Sequence, residues 1–261
     1  MHKPGSCREI APPSMKIRVP SLLITLGVLH LATAASDAAI NYVQITGDAD
    51  SGIVSSNTYT HALDFGTGTP GALINGVQFS AYNNGADGTL NFSRTVSSGT
   101  ENDNPGNGAH NVTGNLANLL TDMIYNGNNA PGGTSSWTLS GLTAGITYDA
   151  RIYTRQWGSP NDRSTTLVFD PDGPGAISES TSLINEDDAL TVGMPAANTA
   201  YYINYRFTAV AGQNLVITGT QNNLNQSWHL YGLTNQVVPE PSTTAFAGVV
   251  GLGLLARRRR K

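Results

Sequence analysis

The apolar residues of this chain recur with a period of two in many short segments, and this pattern constrains the fold more than any other feature. In residues 148–155, and again in 203–209, apolar or aromatic side chains alternate with polar or charged ones. Because successive side chains of a β-strand point to opposite faces, the alternation predicts half-buried strands. Shorter apolar runs at 167–169, 215–217 and 228–233 are typical of central strands.

The first half of the chain carries four more strand candidates, separated by turn-forming pairs. The candidates are residues 40–45, 59–65, 77–82 and 90–96. The turn pairs are Asn75-Gly76, Asn84-Gly85, Asp87-Gly88 and Asp172-Gly173. One helical pattern is present, formed by Leu116, Leu119, Leu120 and Met123 and closed by Asn126-Gly127. About nine strands with a single short helix predict an all-β sandwich.

Residues 137–148 read Trp-Thr-Leu-Ser-Gly-Leu-Thr-Ala-Gly-Ile-Thr-Tyr. This phrase resembles the strand, turn and tyrosine-led strand of fibronectin-type repeats and of galactose-binding-like jelly rolls from exported bacterial proteins. A fibronectin module takes about 100 residues, and the body of this chain is about twice as long without a visible repeat. We therefore expect one jelly-roll β-sandwich of the galactose-binding type over residues 39–236, with two packed modules as the alternative. Tyr148 is expected to pack at a corner of the sandwich.

The end of the chain differs in composition from the rest. Val238, Pro239, Glu240 and Pro241 precede an apolar segment rich in Gly and Ala at 244–256, and four arginines and a lysine follow at 257–261. The apolar segment is shorter than the about 20 residues of a comfortable membrane span, and the cations would be held on the cytoplasmic side. This pattern predicts a short membrane helix outside the folded domain, which stops the transfer of the chain across the membrane.

The order of motif, apolar segment and basic cluster over residues 238–261 resembles the PEP-CTERM sorting signal of exported bacterial proteins. The resemblance implies that a membrane protease or transpeptidase, the exosortase, recognises the tail. It also implies a protein that is exported, anchored transiently in the membrane, and then displayed at the cell surface or released. The family is associated with bacteria that make extracellular polysaccharide.

The other end of the chain predicts a signal peptide over residues 1–34. Lys16 and Arg18 form a positive region, residues 22–31 are apolar, and Ala32-Thr33-Ala34 is a small-x-small cleavage site. The residues before Met15 have no signal character, so we expect Met15 to be the true start.

Charge and cysteine usage exclude several function classes once both ends are set aside. Residues 35–241 contain five arginines, no lysine and seventeen acids, a formal charge of −12. Nucleic-acid binding needs clustered cations that neutralise phosphates, so we expect no nucleic-acid partner. The single cysteine, Cys7, precedes the predicted cleavage site, which leaves the body without disulfide or thiol chemistry.

The body carries no recognisable catalytic motif, such as a nucleophile elbow, a zinc-protease helix or a phosphate-binding glycine loop. Three histidines, His61, His110 and His229, lie in different segments, where packed or solvated roles are the expectation. Glycoside hydrolysis needs only two facing carboxylates, and acids are plentiful. We therefore expect a non-catalytic structural or carbohydrate-binding protein, the alternative being a secreted glycan hydrolase or lyase with unassigned carboxylates.

One loop between two strands, residues 155–163, has the residue types of a sugar-binding site. Sugars stack on an aromatic face while charged or amide groups bond to their hydroxyls, and Trp157 with Arg155, Asp162 and Arg163 supplies those groups. The competing interpretation is structural. Trp157 would then cover the end of the sandwich while the two arginines pair with Asp162.

A second candidate site is a structural calcium ion at Asp48 and Asp50. Carboxylates two residues apart and followed by Gly52 can converge on a hard cation, although the segment lacks the closing glutamate of an EF-hand. The acidic clusters at 170–173 and 186–188 are weaker candidates of the same kind.

Overall fold

The computed structural model describes residues 40–66, 71–83, 89–96, 101–104, 111–126, 132–155, 164–172, 179–180, 184–185, 200–222 and 227–239. The chain divides into two compact units, residues 1–35 and 36–261, and every described residue belongs to the second. The predicted signal peptide therefore lies outside the described residues.

The described residues form short β-strands and two short helical segments. In chain order the strands are β1 (Ile40–Ile45), β2 (Tyr59–Phe65), β3 (Leu73–Ile74), β4 (Val77–Gln78), β5 (Ser80–Tyr82), β6 (Phe92–Val96), β7 (Glu101–Asn104), β8 (Met123–Asn126), β9 (Thr134–Leu139), β10 (Thr147–Arg155), β11 (Ser164–Asp170), β12 (Glu179–Ser180), β13 (Ile184–Asn185), β14 (Ala200–Thr208), β15 (Leu215–Gln221), β16 (His229–Leu230) and β17 (Gly232–Val237). The helical segments are a 3-10 turn, Asp48–Asp50, and the helix α1, Leu116–Leu119.

Two large sheets face each other. The first has the strand order β1-β14-β10-β17-β2-β5, and the second has the order β12-β11-β15-β9-β6, with β13 also paired to β11. All of these pairs are antiparallel except β2 with β5. Two smaller ladders, β16-β8-β7 and β3-β4, complete the described strands. Neighbours in the sheets are seldom neighbours in sequence, and the predicted all-β jelly-roll sandwich with one short helix is confirmed.

The interior between the two large sheets is rich in aromatic rings. Phe169 of the second sheet stacks on Tyr205 of the first with ring centroids 4.5 Å apart. Trp137 and Trp228 meet edge to face at 4.8 Å. Stacked and edge-to-face arrangements are the favoured geometries of aromatic pairs, so these rings add specificity to the apolar burial of the core.

A second apolar cluster covers the outer face of the first sheet, which corrects the prediction that residues 148–155 form a half-buried strand. Both faces of β10 are covered, and Tyr153 and Arg155, on the face expected to be polar, are 0% exposed. The reason is tertiary, because segments from other parts of the chain fold over this face. The cluster comprises Ile45, Ile53, Ala72, Ile74, Val77, Phe79, Val112, Leu116, Leu119, Leu120, Met123, Tyr153, Ala200 and Tyr231.

An ion pair on the outer face of β10 holds the covering segment in place. Arg151 Nη2 lies 2.9 Å from Asp149 Oδ2, and Arg151 Nη1 donates a hydrogen bond to the Gly52 carbonyl. Asn204 and Gln236 also donate to the Asp149 carboxylate, so its charge is compensated by several donors. Gly52 has φ +70°, and a Cβ at this position would collide with the Arg151 guanidinium. The pair therefore ties the segment after β1 to the centre of the sheet.

The helical prediction is only partly right, since α1 ends at Leu119 and Met123 begins strand β8. Both Leu116 and Met123 are buried, so the apolar spacing holds although the backbone changes from helix to strand. The backbone after Leu120 becomes extended because β8 pairs with β7 and β16. Contacts remote in sequence have overridden the local period here.

Most predicted strands are confirmed, with several changes of boundary. The run at 228–233 is divided at Tyr231 between β16 and β17, which belong to different sheets. Leu90 and Asn91 have positive φ angles of 54° and 55°, so β6 starts later, at Phe92. The candidate at 77–82 is interrupted at Phe79, whose amide turns away to donate to the Ala72 carbonyl at 2.8 Å.

Two predicted local features are confirmed. Asn75 and Gly76, with φ 47° and 81°, form the two-residue turn between β3 and β4, as a hairpin of this length requires. Tyr148 is buried, and its hydroxyl accepts a hydrogen bond from the Thr143 amide at 3.0 Å. Tyr148 is thus the corner residue that the phrase at 137–148 predicts.

We expect Arg151→Met to lower the free energy of unfolding by about 3–5 kcal/mol, since it leaves the buried Asp149 carboxylate without its cation. The matched control is Arg206→Met. Arg206 lies opposite Asp149 on β14 but is exposed, so solvent weakens its interaction with the carboxylate, and its loss should cost no more than about 1 kcal/mol. Urea denaturation of the two variants measures both effects. Equal losses would contradict the assigned role of the ion pair.

Candidate functional site

The register of the strands gives the sandwich two distinct ends. At one end, here called the tail end, β10 begins at Thr147 beside Thr208 and next to Val237, the last residue of β17. At the other end, the loop end, β10 finishes at Arg155 and β11 begins at Ser164. Nine strand residues rising about 3.3 Å each separate the two ends by about 25–30 Å.

The sorting motif predicted at 238–241 starts where the last sheet hydrogen bond is made. The Val238 amide donates to the Thr147 carbonyl at 2.9 Å, and the next residue, Pro239, is exposed. Proline has no amide hydrogen, so it cannot continue the ladder. Glu240 and Pro241 lie outside the described residues. The motif therefore begins at the tail end without an intervening linker.

The predicted ligand loop follows the loop end of β10, and the structure describes one of its four candidate residues. Arg155 is fully buried, with Nε donating to the Leu120 carbonyl at 3.0 Å and the guanidinium 5.0 Å from the centroid of the Tyr231 ring. It connects β10 to the segment after α1 and is not exposed to a ligand. Trp157, Asp162 and Arg163 lie outside the described residues.

A small cavity lies below the loop end, between the two sheets. Its volume is about 20 Å³, which is room for one water molecule and far too little for a sugar ring. Trp137, Trp228 and Thr165 line it, and the Trp228 indole N–H has no hydrogen-bond partner among the described residues. The sequence analysis did not single out these residues, because an apolar strand pattern does not distinguish a cavity wall from any other core position.

Both acids of the predicted calcium site are engaged by backbone amides. Asp48 accepts hydrogen bonds from the amides of Asn115, at 3.1 Å, and Leu116, at 2.7 Å, and so caps the start of α1. Asp50 accepts from the amides of Thr46, at 2.9 Å, and Gly47, at 2.9 Å. These bonds give both carboxylates a structural role without an ion. The calcium site stays a prediction.

Other predicted sites are also placed by the structure. Within the part of the chain that the structure describes, no group of three or more His, Cys, Asp or Glu side chains converges as a metal site. His61 and His229 are buried, and burial lowers the pKa of His61 despite its contact with the Asn91 carbonyl. His110 and the acidic cluster at 186–188 lie outside the described residues.

A second buried acid of the first sheet, besides Asp149, is Asp64 at the loop end of β2. One carboxylate oxygen accepts a hydrogen bond from the Ala72 amide at 2.7 Å, and the other has no hydrogen-bond partner among the described residues. Burial raises the pKa of Asp64 to about 7, and the nearby charge of Asp122 adds to the effect, while the Ala72 amide opposes it. Asp64 does not line the cavity between the sheets.

We expect stability to fall as the pH rises from about 4 to about 7, because the folded state holds the Asp64 proton, with a pKa of about 7, more tightly than the unfolded chain, with 3.8. Asp64→Asn cannot ionise. The free energy of unfolding of Asp64→Asn minus that of the wild type should therefore increase by up to about 4 kcal/mol between pH 4 and pH 7, at about 1.4 kcal/mol per pKa unit. Denaturation at pH 4, 6 and 8 checks this, and a pH-independent difference would contradict it.

Asp48→Ala should lower the free energy of unfolding by about 1–2 kcal/mol, since it removes the acceptor for two amides at the start of α1. Thermal melts of the wild type and of Asp48→Ala, in calcium and in chelator at fixed ionic strength, measure this loss and test the predicted ion. A calcium-dependent midpoint in the wild type that disappears in Asp48→Ala would support an ion at this position.

Comparisons with known proteins find one sequence family and several distant structures. The extracellular domain of ANXUR2 from Arabidopsis thaliana is 13% identical with a TM-score of 0.46, and the match covers 70% of this chain and 49% of that one. The same plant's ANXUR1 extracellular domain is 13% identical with a TM-score of 0.43, covering 69% and 49%. The matched region thus spans about half the length of these ectodomains.

A bacterial domain is matched over nearly its full length. The xylan-binding CBM22-1 domain of Xyn10C from Paenibacillus barcinonensis is 8% identical with a TM-score of 0.37, covering 59% of this chain and 90% of that one. No curated protein matches the sequence.

The tail at the end of β17 matches a family model. In the described residues no helix has the length and apolar character needed to cross a membrane, and the predicted tail helix at 244–256 lies outside them. The family model is that of the PEP-CTERM protein-sorting motif, and it covers residues 237–261. This chain carries a PEP-CTERM protein-sorting motif, which marks an exported protein of the cell envelope.

Proposed function

We propose that exosortase processes this protein at its tail and that the β-sandwich then serves at the cell surface or in the extracellular matrix. Its role would be non-catalytic, either structural or carbohydrate-binding. The observation that carries the proposal is the position of the motif match at 237–261, which begins at the last residue of β17. The body and the sorting signal therefore meet without a linker.

The geometry of the sandwich supports a defined orientation before processing. With residues 244–256 in the membrane, the tail end faces the membrane and the loop end lies about 25–30 Å further out, the length of strand β10. The loop at 156–163 connects Arg155 to Ser164 and so leaves from the outer end. Trp157, Asp162 and Arg163 are the residues that we propose to contact a glycan there, with the indole ring as stacking platform.

Charge supports an extracellular partner without phosphate groups. The body carries five arginines against seventeen acids, and Arg151 and Arg155 are engaged inside the fold. A body with this balance repels nucleic acid and anionic lipid surfaces, whereas hydroxyl-rich neutral glycans need no cationic groups for recognition.

We expect the mature protein to lack both residues 1–34 and the basic end at 257–261. The measurement is intact mass on protein recovered from the envelope and medium of the native host. The control is a variant with Pro239→Ala and Glu240→Ala, which should retain the tail in the membrane fraction because the motif is disrupted. Recovery of a mature wild-type chain that still ends in Lys261 would overturn the processing step.

A further inference from the structure

The outer face of the second sheet has an unusual composition. Over residues 92–95 of β6, 134–139 of β9, 165–170 of β11 and 215–221 of β15, buried inner positions alternate with exposed or partly exposed outer ones. The outer positions, here called the hydroxyl face, are Ser93, Thr95, Thr134, Ser136, Thr138, Thr166, Val168, Asp170, Val216, Thr218 and Thr220. Eight of these eleven side chains are serine or threonine. The inner partners are core residues such as Trp137 and Ile217.

The register of the strands arranges these side chains as a regular grid. Ser136 lies opposite Thr218, which lies opposite Val168, and the rungs on either side repeat the arrangement. Neighbouring strands are about 4.8 Å apart and alternate residues about 6.7 Å apart, so the grid measures roughly 14 Å by 13 Å between its outermost positions. The Ser136 and Thr218 hydroxyl oxygens lie 2.9 Å apart and share a hydrogen bond.

The hydroxyl face has one charged residue in eleven positions, close to the share in the body, which has 22 in 207 residues, and it has no cation. Asp170, at the corner nearest the tail end, is the single ionisable group among its eleven positions. Threonine is common on strands, whereas charged side chains, lysine above all, discourage association between sheets where they occur at exposed edges.

The side chains of the hydroxyl face limit the classes of partner that it can bind. It has no cation for phosphate or anionic lipid. It also has no aromatic or large aliphatic anchor, so a protein hot spot and the stacking of a sugar ring are both absent, and a partner would be held by hydrogen bonds. It has many hydroxyls, each able both to donate and to accept a hydrogen bond. Threonine is stiff about χ1, so little side-chain entropy is lost when a partner binds.

We propose that the hydroxyl face binds a neutral, hydroxyl-rich polysaccharide lying across β11, β15, β9 and β6. This inference rests on the proposed function, to which it adds a second contact surface and the class of glycan. Acidic polysaccharides are excluded by the charge of the body, which repels polyanions at low salt. The twist between neighbouring strands, about 20–25° each, fits a chain that can curve with the sheet better than a flat crystalline surface.

The test is affinity electrophoresis of the secreted protein in gels containing dextran, glucomannan or alginate. Thr218→Lys places a long charged side chain at the centre of the grid and should weaken retention in a neutral polysaccharide at least tenfold. The matched control is Thr208→Lys, since Thr208 is an exposed strand threonine of the first sheet at the tail end. Thr218→Ser keeps the hydroxyl and should stay within about twofold of wild type. Thermal melts verify that every variant is folded.

A fourth variant, Trp157→Ala, separates failure of this inference from failure of the proposed function. Normal retention of Thr218→Lys with loss in Trp157→Ala would overturn the role of the hydroxyl face and leave glycan binding at the loop end. Absence of wild-type retention in all three gels would overturn the role of the hydroxyl face and the carbohydrate-binding form of the proposed function. Stronger retention in alginate than in the neutral gels, or a dimer that Thr218→Lys converts to a monomer in sedimentation, would also overturn the inference.

Discussion

The pairing of β10 with β14 on one side and β17 on the other organises the whole body. All nine residues of β10 are in register with β14, and six of them are in register with β17. One face of β10 contributes Ile152 to the core between the sheets, and the other contributes Tyr153 to the second cluster. Both apolar clusters therefore depend on this strand. On its outer face Arg151 pairs with Asp149 and donates a hydrogen bond to the Gly52 carbonyl, which attaches the segment after β1 to the sheet.

The strand that precedes the tail, β17, lies in the interior of the first sheet. The first sheet has β17 between β10 and β2, so it cannot be completed without the last strand of the body. Val238 makes one more bond to the sheet, and Pro239 ends the ladder. The same few residues therefore finish the fold and begin the sorting motif. The tail therefore begins at one end of the sandwich, and the segment that follows Arg155 begins at the opposite end.

Three of the described acids of the body accept hydrogen bonds from backbone amides. Asp48 and Asp50 accept backbone amides around the start of α1 and the 3-10 turn, and Asp64 accepts the Ala72 amide in the interior. A carboxylate that accepts amide hydrogen bonds stabilises the chain locally without a counter-ion. Asp48 and Asp50, the pair that suggests metal ligands in the sequence, thus have local structural roles, and the calcium ion stays a prediction.

The sequence alone determined the strand content, the hairpin turn at Asn75-Gly76, the corner role of Tyr148 and the sorting motif, because each depends on local periodicity, backbone preference or composition. Tertiary structure alone decided the rest. The apolar residues from Leu116 to Met123 are buried in either backbone conformation, so only pairing with β7 and β16 determines where α1 ends. Likewise, the strand pattern predicts on which face of β10 Arg155 lies, but only the tertiary structure shows that this face is covered. The hydroxyl face forms only when four strands remote in sequence pair in register.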